Sequence, residues 1–404
     1  MGSLNICLIS REYPPDTAFG GIATFSVDTA QMLRRHGHRV TVFSQSLGTT
    51  HVADHLGVPV YKIKVPRPFE TYKRLPIFIP SFNFMLYRHI SRLHRETPFD
   101  IVDAPDHLAE GLFSSLFSKV PLVTRLHTPY ALIVAMGLNN YRRDMAFHAI
   151  YGMEKVQLRR SQVLYAPCRD LLNRCEALFG LRNLPVRIFG YPLDLQMFAP
   201  KPPTEARRPT RILFLGRLEQ RKGIQTIVEA FPKLLERCGD AELTLVGRDT
   251  PNIDGWSSAK EYMLDAFQRA GCAQRVRFED YVPLEQLPEF FHRHDIVWVP
   301  SMYDNFPIIA LEAMACGKAV VVSDSGGLPE MVTHGETGLV FPAGDPGALA
   351  SRTMDLFDSP ELWRRLGTNA RRYVEENCSE DAIYSKTMDM YHEAMVRAGR
   401  RSAV

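Results

Sequence analysis

Two carboxylates eight positions apart, Asp304 and Glu312, stand in the run SMYDNFPIIALEAMACG. Pro307 suits the first turn of a helix, where its missing N–H costs nothing, and Ile308, Leu311 and Met314 continue at helical spacing. Asp304 is therefore expected in the loop that leads into the helix, with Glu312 about two turns along it. The preceding DIVWVP reads as a short strand, so the unit is strand, loop, helix. In open α/β sheets that junction is where ligands bind.

Two further loops offer chemistry for an anion. Gly20 and Gly21 follow the first strand-like run and precede a helix. Glycines there let the backbone approach a ligand closely, and the free N–H groups with the helix dipole suit negative charge. An ordinary tight turn is the plain alternative. Midway along the chain, LGRLEQRKGI presents Arg217 and Lys222 after another strand, and two cations at a strand's carboxyl end can neutralise a diphosphate. Such a pair can also be simple surface charge. Taken together, each half of the chain offers an anion-binding loop after its own first strand.

His127, in LVTRLHTPY, is expected at the carboxyl end of a strand in the first half, placed to face a ligand. The histidines of RRHGHRV and FHRHD lack thiol or carboxylate partners at zinc-site spacing, so no metal role is assigned to them. Neither first strand is followed by G-x-G-x-x-G, which weakens a dinucleotide dehydrogenase, and no G-x-x-x-x-G-K-[ST] is present for a P-loop NTPase. There is no Asp-x-Asp pair to hold a divalent ion on a nucleotide diphosphate. No metal and no bound cofactor are expected.

Elements that could position these groups are readable. Strand-like NICLIS, RVTVFS, VPVYKIK, DIVDA, PLVTRL and QVLYAP alternate with helical stretches, the rhythm of a parallel sheet covered on both faces. APKPPTEARRPT, residues 199–210, breaks the rhythm and reads as a linker. It restarts with RILFLG, AELTLVG, RVRFED, DIVWVP, AVVVSD and GLVF, and after 345 the pattern is helical to the end. The expectation is an α/β chain of two Rossmann-like domains, 1–198 and 211–378, with a last helix in 379–404 returning to pack on the first.

With 404 residues, 45% hydrophobic and 23% charged, the composition suits a soluble protein of two domains. A formal net charge of +3 is too small to argue for nucleic acid. No uncharged apolar run approaches the ~18 residues that cross a bilayer, and the chain begins without a cleavable signal pattern. The seven cysteines form no C-x-x-C pair and fit reduced thiols, so a cytoplasmic location is expected. One segment, 62–95, gathers Lys62, Lys64, Arg67, Lys73, Arg74, Arg88, Arg92 and Arg95 against Glu70 alone, with aromatics and prolines interleaved. That mix suits peripheral contact with anionic lipid or a lipid-linked acceptor; a solvated helix over core aromatics is the alternative.

EYPPDTAFGGIA, GRLEQRKG and SMYDNFPIIALEAMACGKAVVVSDSGGLPE, in this order and spacing, resemble the retaining glycosyltransferases of the GT-B class. The likeness is to the large family that includes sucrose-phosphate synthase and the bacterial phosphatidylinositol mannosyltransferases. It covers nearly the whole chain and is strongest over 211–345. It implies two Rossmann-like domains facing across a cleft, a nucleotide-diphosphate sugar donor held mostly by the second and a hydroxyl acceptor held mostly by the first.

The resemblance also carries roles. Gly20 and Gly21 would offer backbone to the donor phosphate, Arg217 and Lys222 would hold the departing diphosphate, Val282 would lie near the base, and Glu312 would take the ribose hydroxyls. His127 and Asp304 would stand at the reacting sugar. The family has glutamate at the first acidic position, so Asp304 is one methylene shorter. Pro307 removes one amide from the helix start and leaves those of Phe306, Ile308 and Ile309 for the diphosphate. The implied reaction is metal-independent transfer with retention, the phosphate accepting the acceptor's proton. A sugar-nucleotide epimerase on the same plan, or a silent nucleotide-sugar sensor, are the alternatives.

Overall fold

The computed structural model describes residues 2–17, 20–65, 75–137, 143–201, 209–253, 255–280 and 282–399. The chain forms two compact units, Met1–Pro192 with Glu380–Val404, and Leu193–Ser379.

In the first unit, β1 (Asn5–Ile9), β2 (Arg39–Ser46), β3 (His51–His55), β4 (Val58–Lys64), β5 (Ile101–Pro105), β6 (Leu122–Arg125), β7 (Val163–Ala166) and β8 (Val186–Ile188) form one sheet, ordered β3-β4-β2-β1-β5-β6-β7-β8. All neighbours are parallel except β3 and β4. Every residue of β1, NICLI, is buried, as expected of a parallel strand covered on both faces. The chain builds outward from β1 to β4, then returns to lay β5 on the other side of β1. The crevice outside the carboxyl ends of β1 and β5 is the topological switch point.

The last helix, Glu380–Arg397, packs in this unit. Its Tyr391 hydroxyl donates to Asp103 Oδ2 at 2.6 Å, and the other oxygen of that buried carboxylate takes Arg125 Nε at 2.6 Å. At its start, Glu380 pairs with Arg35 at 2.6 Å and Tyr384 stacks on His36, centroids 3.7 Å apart.

The second unit repeats the plan. Its strands are β9 (Arg211–Leu215), β10 (Glu242–Val246), β11 (Pro251–Ile253), β12 (Trp256–Ser258), β13 (Val276–Glu279), β14 (Ile296–Val299), β15 (Ala319–Ser323) and β16 (Leu339–Phe341). Six of them form an all-parallel sheet ordered β13-β10-β9-β14-β15-β16, while β11 and β12 make a separate hairpin. Ile212 of β9 lies opposite Leu243 on one side and Ile296 on the other, and the core closes around Phe214, Phe231 and Trp298. The Trp298 indole N–H donates to Thr353 Oγ1 at 2.9 Å, which satisfies its one polar atom and fixes the helix Pro346–Asp358 on β14. Order reverses between β9 and β14, so this sheet's switch point lies at the loops after those two strands.

The basic segment 62–95 is divided by the fold. Arg67, Glu70, Lys73 and Arg74 lie outside the described residues, as does 202–208 of the linker stretch. Lys64, Arg88, Arg92 and Arg95 are exposed. Lys62, expected among those surface cations, is instead 0% exposed. The pleat of β4 turns it inward, toward backbone and hydroxyl oxygens of the loop after β1.

Candidate functional site

At the second unit's switch point, the loop after β9 and the loop after β14 bring opposite charges together. Lys222 Nζ lies 2.5 Å from Asp304 Oδ2, and Arg221 NH1 lies 3.9 Å from the same oxygen. Arg221 also donates to the Tyr303 carbonyl at 3.2 Å, and its own carbonyl accepts Met302 N–H at 2.8 Å. Glu219 takes Arg217 at 3.2 Å and Arg221 at 3.0 Å. Three cations thus meet two carboxylates over a span of two loops, with Arg217 mostly open to solvent and Asp304 only 6% exposed. Burial pushes the Asp304 carboxyl up, but Lys222, Arg221 and Arg217 together hold it below the ordinary carboxylate value, so it is ionised at neutral pH.

Two glycines make this geometry fit. Gly223 ends the turn that carries Lys222 at φ +79°, and a Cβ there would stand 1.9 Å from the Pro300 carbonyl oxygen at the end of β14. Gly326, in the loop after β15, has φ +62°, and its Cβ would stand 2.0 Å from the Asp304 carbonyl oxygen. The next residue, Gly327, donates its N–H to that same oxygen at 2.9 Å. Loops after three neighbouring strands therefore lock against one another, and Asp304 is held from its backbone as well as its side chain.

Asp304 does lie in the loop before the helix, now seen to be Ile308–Ala315. Pro307 departs from expectation: it is the residue before the first turn, with ψ 111°, because the residue must still follow the extended loop. The N-cap of this helix is Pro307, whose side chain makes no cap bond, and the Asp304 carboxylate accepts from Lys222. Ala310 N–H turns back to the Pro307 carbonyl at 3.0 Å, which leaves Ile308 and Ile309 as the two amides ahead of any intrahelical acceptor. Phe306 is buried beside them and Ile308 and Ile309 are half-buried. Glu312 is 3% exposed, on the helix and away from solvent rather than on a surface face. Val282, half-buried, follows β13 at the same carboxyl edge of the sheet.

The first unit carries the other expected residues at its own switch point. Gly20 precedes the helix Gly21–Arg35 with φ 100°, accepts N–H groups from Ala23 at 3.1 Å and Thr24 at 3.3 Å, and has nothing within 4 Å of a Cβ position. Both Gly20 and Gly21 are exposed. His127 sits just past β6, buried, with its ring 5.0 Å edge-on from Phe25 and Nδ1 3.2 Å from the Tyr191 hydroxyl. Burial, and then Arg125 and His107, press its pKa well below the ordinary histidine value, so the ring is neutral. The His127 backbone N–H donates to Asp106 Oδ1 at 3.0 Å, and the following Thr128 has φ 125°, a conformation that costs a non-glycine residue energy.

Several residues of these sites carried no role in the sequence reading. Arg221 sits within the same GRLEQRKG run and shares Asp304 with Lys222. Asp106, in DAPDH at the end of β5, supports the His127 backbone; a carboxylate just past a strand end was the available signal. Glu154 lies far off in the helix Met145–Arg160, yet its carboxylate accepts N–H groups from Leu108 at 3.0 Å, Tyr130 at 2.7 Å and Ala131 at 3.1 Å. Nothing local in sequence marks it.

Comparison with known proteins identifies the family and the fold. The family model described as glycosyl transferases group 1 matches residues 198–373, and that described as glycosyltransferase family 4 matches residues 19–196. A D-inositol 3-phosphate glycosyltransferase of Paenarthrobacter aurescens is 32% identical over 415 residues, covering 98% of each chain. Among solved structures, sucrose-phosphate synthase from Thermosynechococcus elongatus superposes with a TM-score of 0.79 at 21% identity, over 97% of this chain and 99% of that one. Anabaena HepE, solved in complex with UDP-glucose, gives a TM-score of 0.71 at 16% identity, over 96% and 98%. The chain belongs to the group 1 glycosyltransferases of GT-B fold.

Proposed function

We propose that this glycosyltransferase moves a hexosyl group from a nucleotide-diphosphate sugar to a hydroxyl acceptor with retention of configuration and without a metal ion. The observation that carries the reading is the Lys222–Asp304 contact at the second switch point. An ammonium held there by an ionised carboxylate is pre-oriented, and a diphosphate entering the crevice competes for it with more charge than Asp304 offers. Lys222 and Arg217, with the amides of Ile308 and Ile309, then stabilise the charge that grows on the leaving phosphate, the task a divalent ion would otherwise perform. Asp304, kept ionised, accepts a hydrogen bond from a hydroxyl of the donor sugar, and Glu312 accepts from the ribose. In the first unit, Gly20 and Gly21 offer amides to a phosphate, and neutral His127 hydrogen-bonds the reacting sugar without acting as an acid. Front-face attack, with the phosphate taking the acceptor's proton, needs no dedicated base.

The test is a panel of UDP-, GDP- and ADP-sugars, read by mass spectrometry for transfer or slow hydrolysis and by NMR for the anomeric configuration of product. UDP-glucose is the first donor to try, given HepE. Retained configuration with turnover unaffected by EDTA supports the reading. Inverted configuration or loss with EDTA refutes those two parts, C2 inversion without loss of nucleotide means an epimerase, and binding without turnover means a sensor.

One surface supports peripheral contact with anionic lipid. On the helix Leu75–Glu96, Phe84 is 44% exposed and is followed at i+4 spacing by exposed Arg88 and Arg92. Beside it, Phe113 packs edge-on to Phe84 at 5.3 Å and Phe117 is 61% exposed. Aromatic rings among cations suit the headgroup boundary. Sedimentation with anionic vesicles at low and moderate salt tests it: Phe84→Ser with Phe117→Ser abolishes binding if this face is used, and absence of wild-type binding at both salts removes the idea.

A further inference from the structure

Lys62 is an unusual residue in this fold. It is fully buried on β4, next to the sheet's edge strand, and among the described residues its ammonium pairs with no carboxylate. Its partners are neutral oxygens of the loop after β1: the Tyr13 carbonyl, and Thr17 Oγ1 at 3.2 Å. Thr17 Oγ1 is itself within 3.1 Å of the Arg11 carbonyl, 3.0 Å of the Tyr13 carbonyl and 3.4 Å of Ser44 Oγ on β2. Ser44 Oγ in turn donates to the Arg11 carbonyl at 2.9 Å. An ionised group taken out of water without an opposite charge is expensive, so a chain that keeps one here gains something from the bonds it makes. What those bonds hold is the stretch from Arg11 to Thr17, three residues before Gly20.

We propose that Lys62 is a positioning residue for the phosphate loop of the first unit: its buried ammonium ties down the Tyr13 carbonyl and the Thr17 hydroxyl and so sets the path by which the chain presents Gly20 and Gly21. The consequence for donor binding rests on the reading of Gly20 and Gly21 as donor-phosphate contacts; the tether itself does not. Without the ammonium, the Tyr13 carbonyl and Thr17 hydroxyl lose their shared donor, and the loop gains freedom that a bound phosphate must pay to remove.

Titration gives an independent handle. Burial lowers the Lys62 pKa to about 8, with Asp16 acting in the opposite sense. Of the groups that face it, His55 is lowered below its ordinary value, chiefly by burial, and the Tyr13 phenol is raised, again by burial. His51 lies opposite Lys62 on β3, with its ring 3.7 Å from Asp16, and Asp54 stands on the same strand. Loss of the Lys62 proton above about pH 8 should therefore loosen the loop in the unmodified protein.

The experiment compares the full-length wild type with Lys62→Met, which keeps an unbranched apolar stem, and with Thr17→Val, which removes the loop-side acceptor and leaves the lysine. Hydrogen exchange is read by mass spectrometry over 11–24, with β5 as internal reference. KM for the donor chosen by the panel is measured from pH 7 to 9. The expected result is about tenfold faster exchange over 11–24 in Lys62→Met with β5 unchanged, a smaller effect in Thr17→Val, and a rise of about tenfold in donor KM. Wild-type KM should rise through about pH 8, and the Lys62→Met value should be high and flat across the range. Unchanged exchange over 11–24 in a folded Lys62→Met overturns the tether. Should Lys62→Met fail to fold, unchanged exchange in Thr17→Val together with a flat wild-type KM profile overturns it equally. Faster exchange with unaltered donor KM establishes the tether and overturns the donor role of Gly20 and Gly21.

Discussion

Replacing Asp304 with asparagine separates the two things its carboxylate does. At 2.5 Å from Lys222 Nζ, with an effective dielectric of about 20, the gross attraction is roughly 6 to 7 kcal/mol. Desolvating both groups offsets most of it, and asparagine keeps an oxygen that can still accept from the ammonium. The net loss of stability should therefore be about 1–3 kcal/mol. Because the Asp304 pKa is held low by its cations, that stability is fully present above the unfolded carboxylate pKa and is lost in the wild type as pH falls through the folded value; Asp304→Asn should lack this acid limb. Binding should move the other way. Lys222 is freed from its competitor, so a free nucleoside diphosphate should bind as tightly or up to about 1–2 kcal/mol more tightly, a factor of roughly 5 to 30. Turnover should still fall by about two orders of magnitude if the carboxylate holds the sugar. Calorimetric titration of the nucleoside diphosphate, chemical denaturation at several pH values and donor turnover give the three readouts. Near-normal turnover, or weaker nucleotide binding, would refute the assignment.

Three other substitutions probe neighbouring parts. Lys222→Ala should lower turnover by about two orders of magnitude, the cost of one donor to a developing oxyanion, with an unaltered far-UV CD spectrum; wild-type kcat would show that Arg221 or Arg217 suffices. Glu312→Gln should weaken binding of the free nucleotide by roughly 1–3 kcal/mol, read by the same titration, and equal affinity would remove the ribose role. Tyr391→Phe deletes the hydroxyl that donates to Asp103 Oδ2 at 2.6 Å and should destabilise the first unit by about 1–3 kcal/mol in urea unfolding, because a buried carboxylate loses a donor. Donor turnover measured well below the denaturation midpoint should be unchanged.

What the sequence revealed follows from how each feature is encoded. Strands covered on both faces, such as NICLI and IVWV, are continuous apolar runs that stand out against charged helices. β3 does not: HVADH is an edge strand paired only with β4, largely exposed and polar, and carries no apolar run to read. β11 and β12 are three residues each, too short to show alternation. At the sites, Lys222 and Asp304 were legible because they occupy loops directly after strands, and topology alone brings such loops together. Their direct pairing was not, since it depends on Gly223 and Gly326 letting three loops close to within van der Waals distance.

Lys62 marks the limit of reading charge as surface. It stands among other cations, in a segment whose composition says solvent or lipid, and its burial is set by the phase of the β4 pleat. Ile63 and Val60 are buried on that strand as well, so alternation alone does not separate an inward lysine from an outward one. The partners that make its burial tolerable, Tyr13 and Thr17, lie 49 and 45 residues earlier and become neighbours only when β2 is laid between β1 and β4. The same reasoning applies to Glu154, which supports backbone amides from two other loops. In both units many of the groups proposed to meet a ligand lie in loops after strands or at the helix starts that follow them, where sequence is informative, whereas Lys62 and Glu154, which hold such loops in shape, come from the body of the fold. A search for the second kind must therefore begin from buried polar groups whose partners are backbone atoms of a ligand-facing loop.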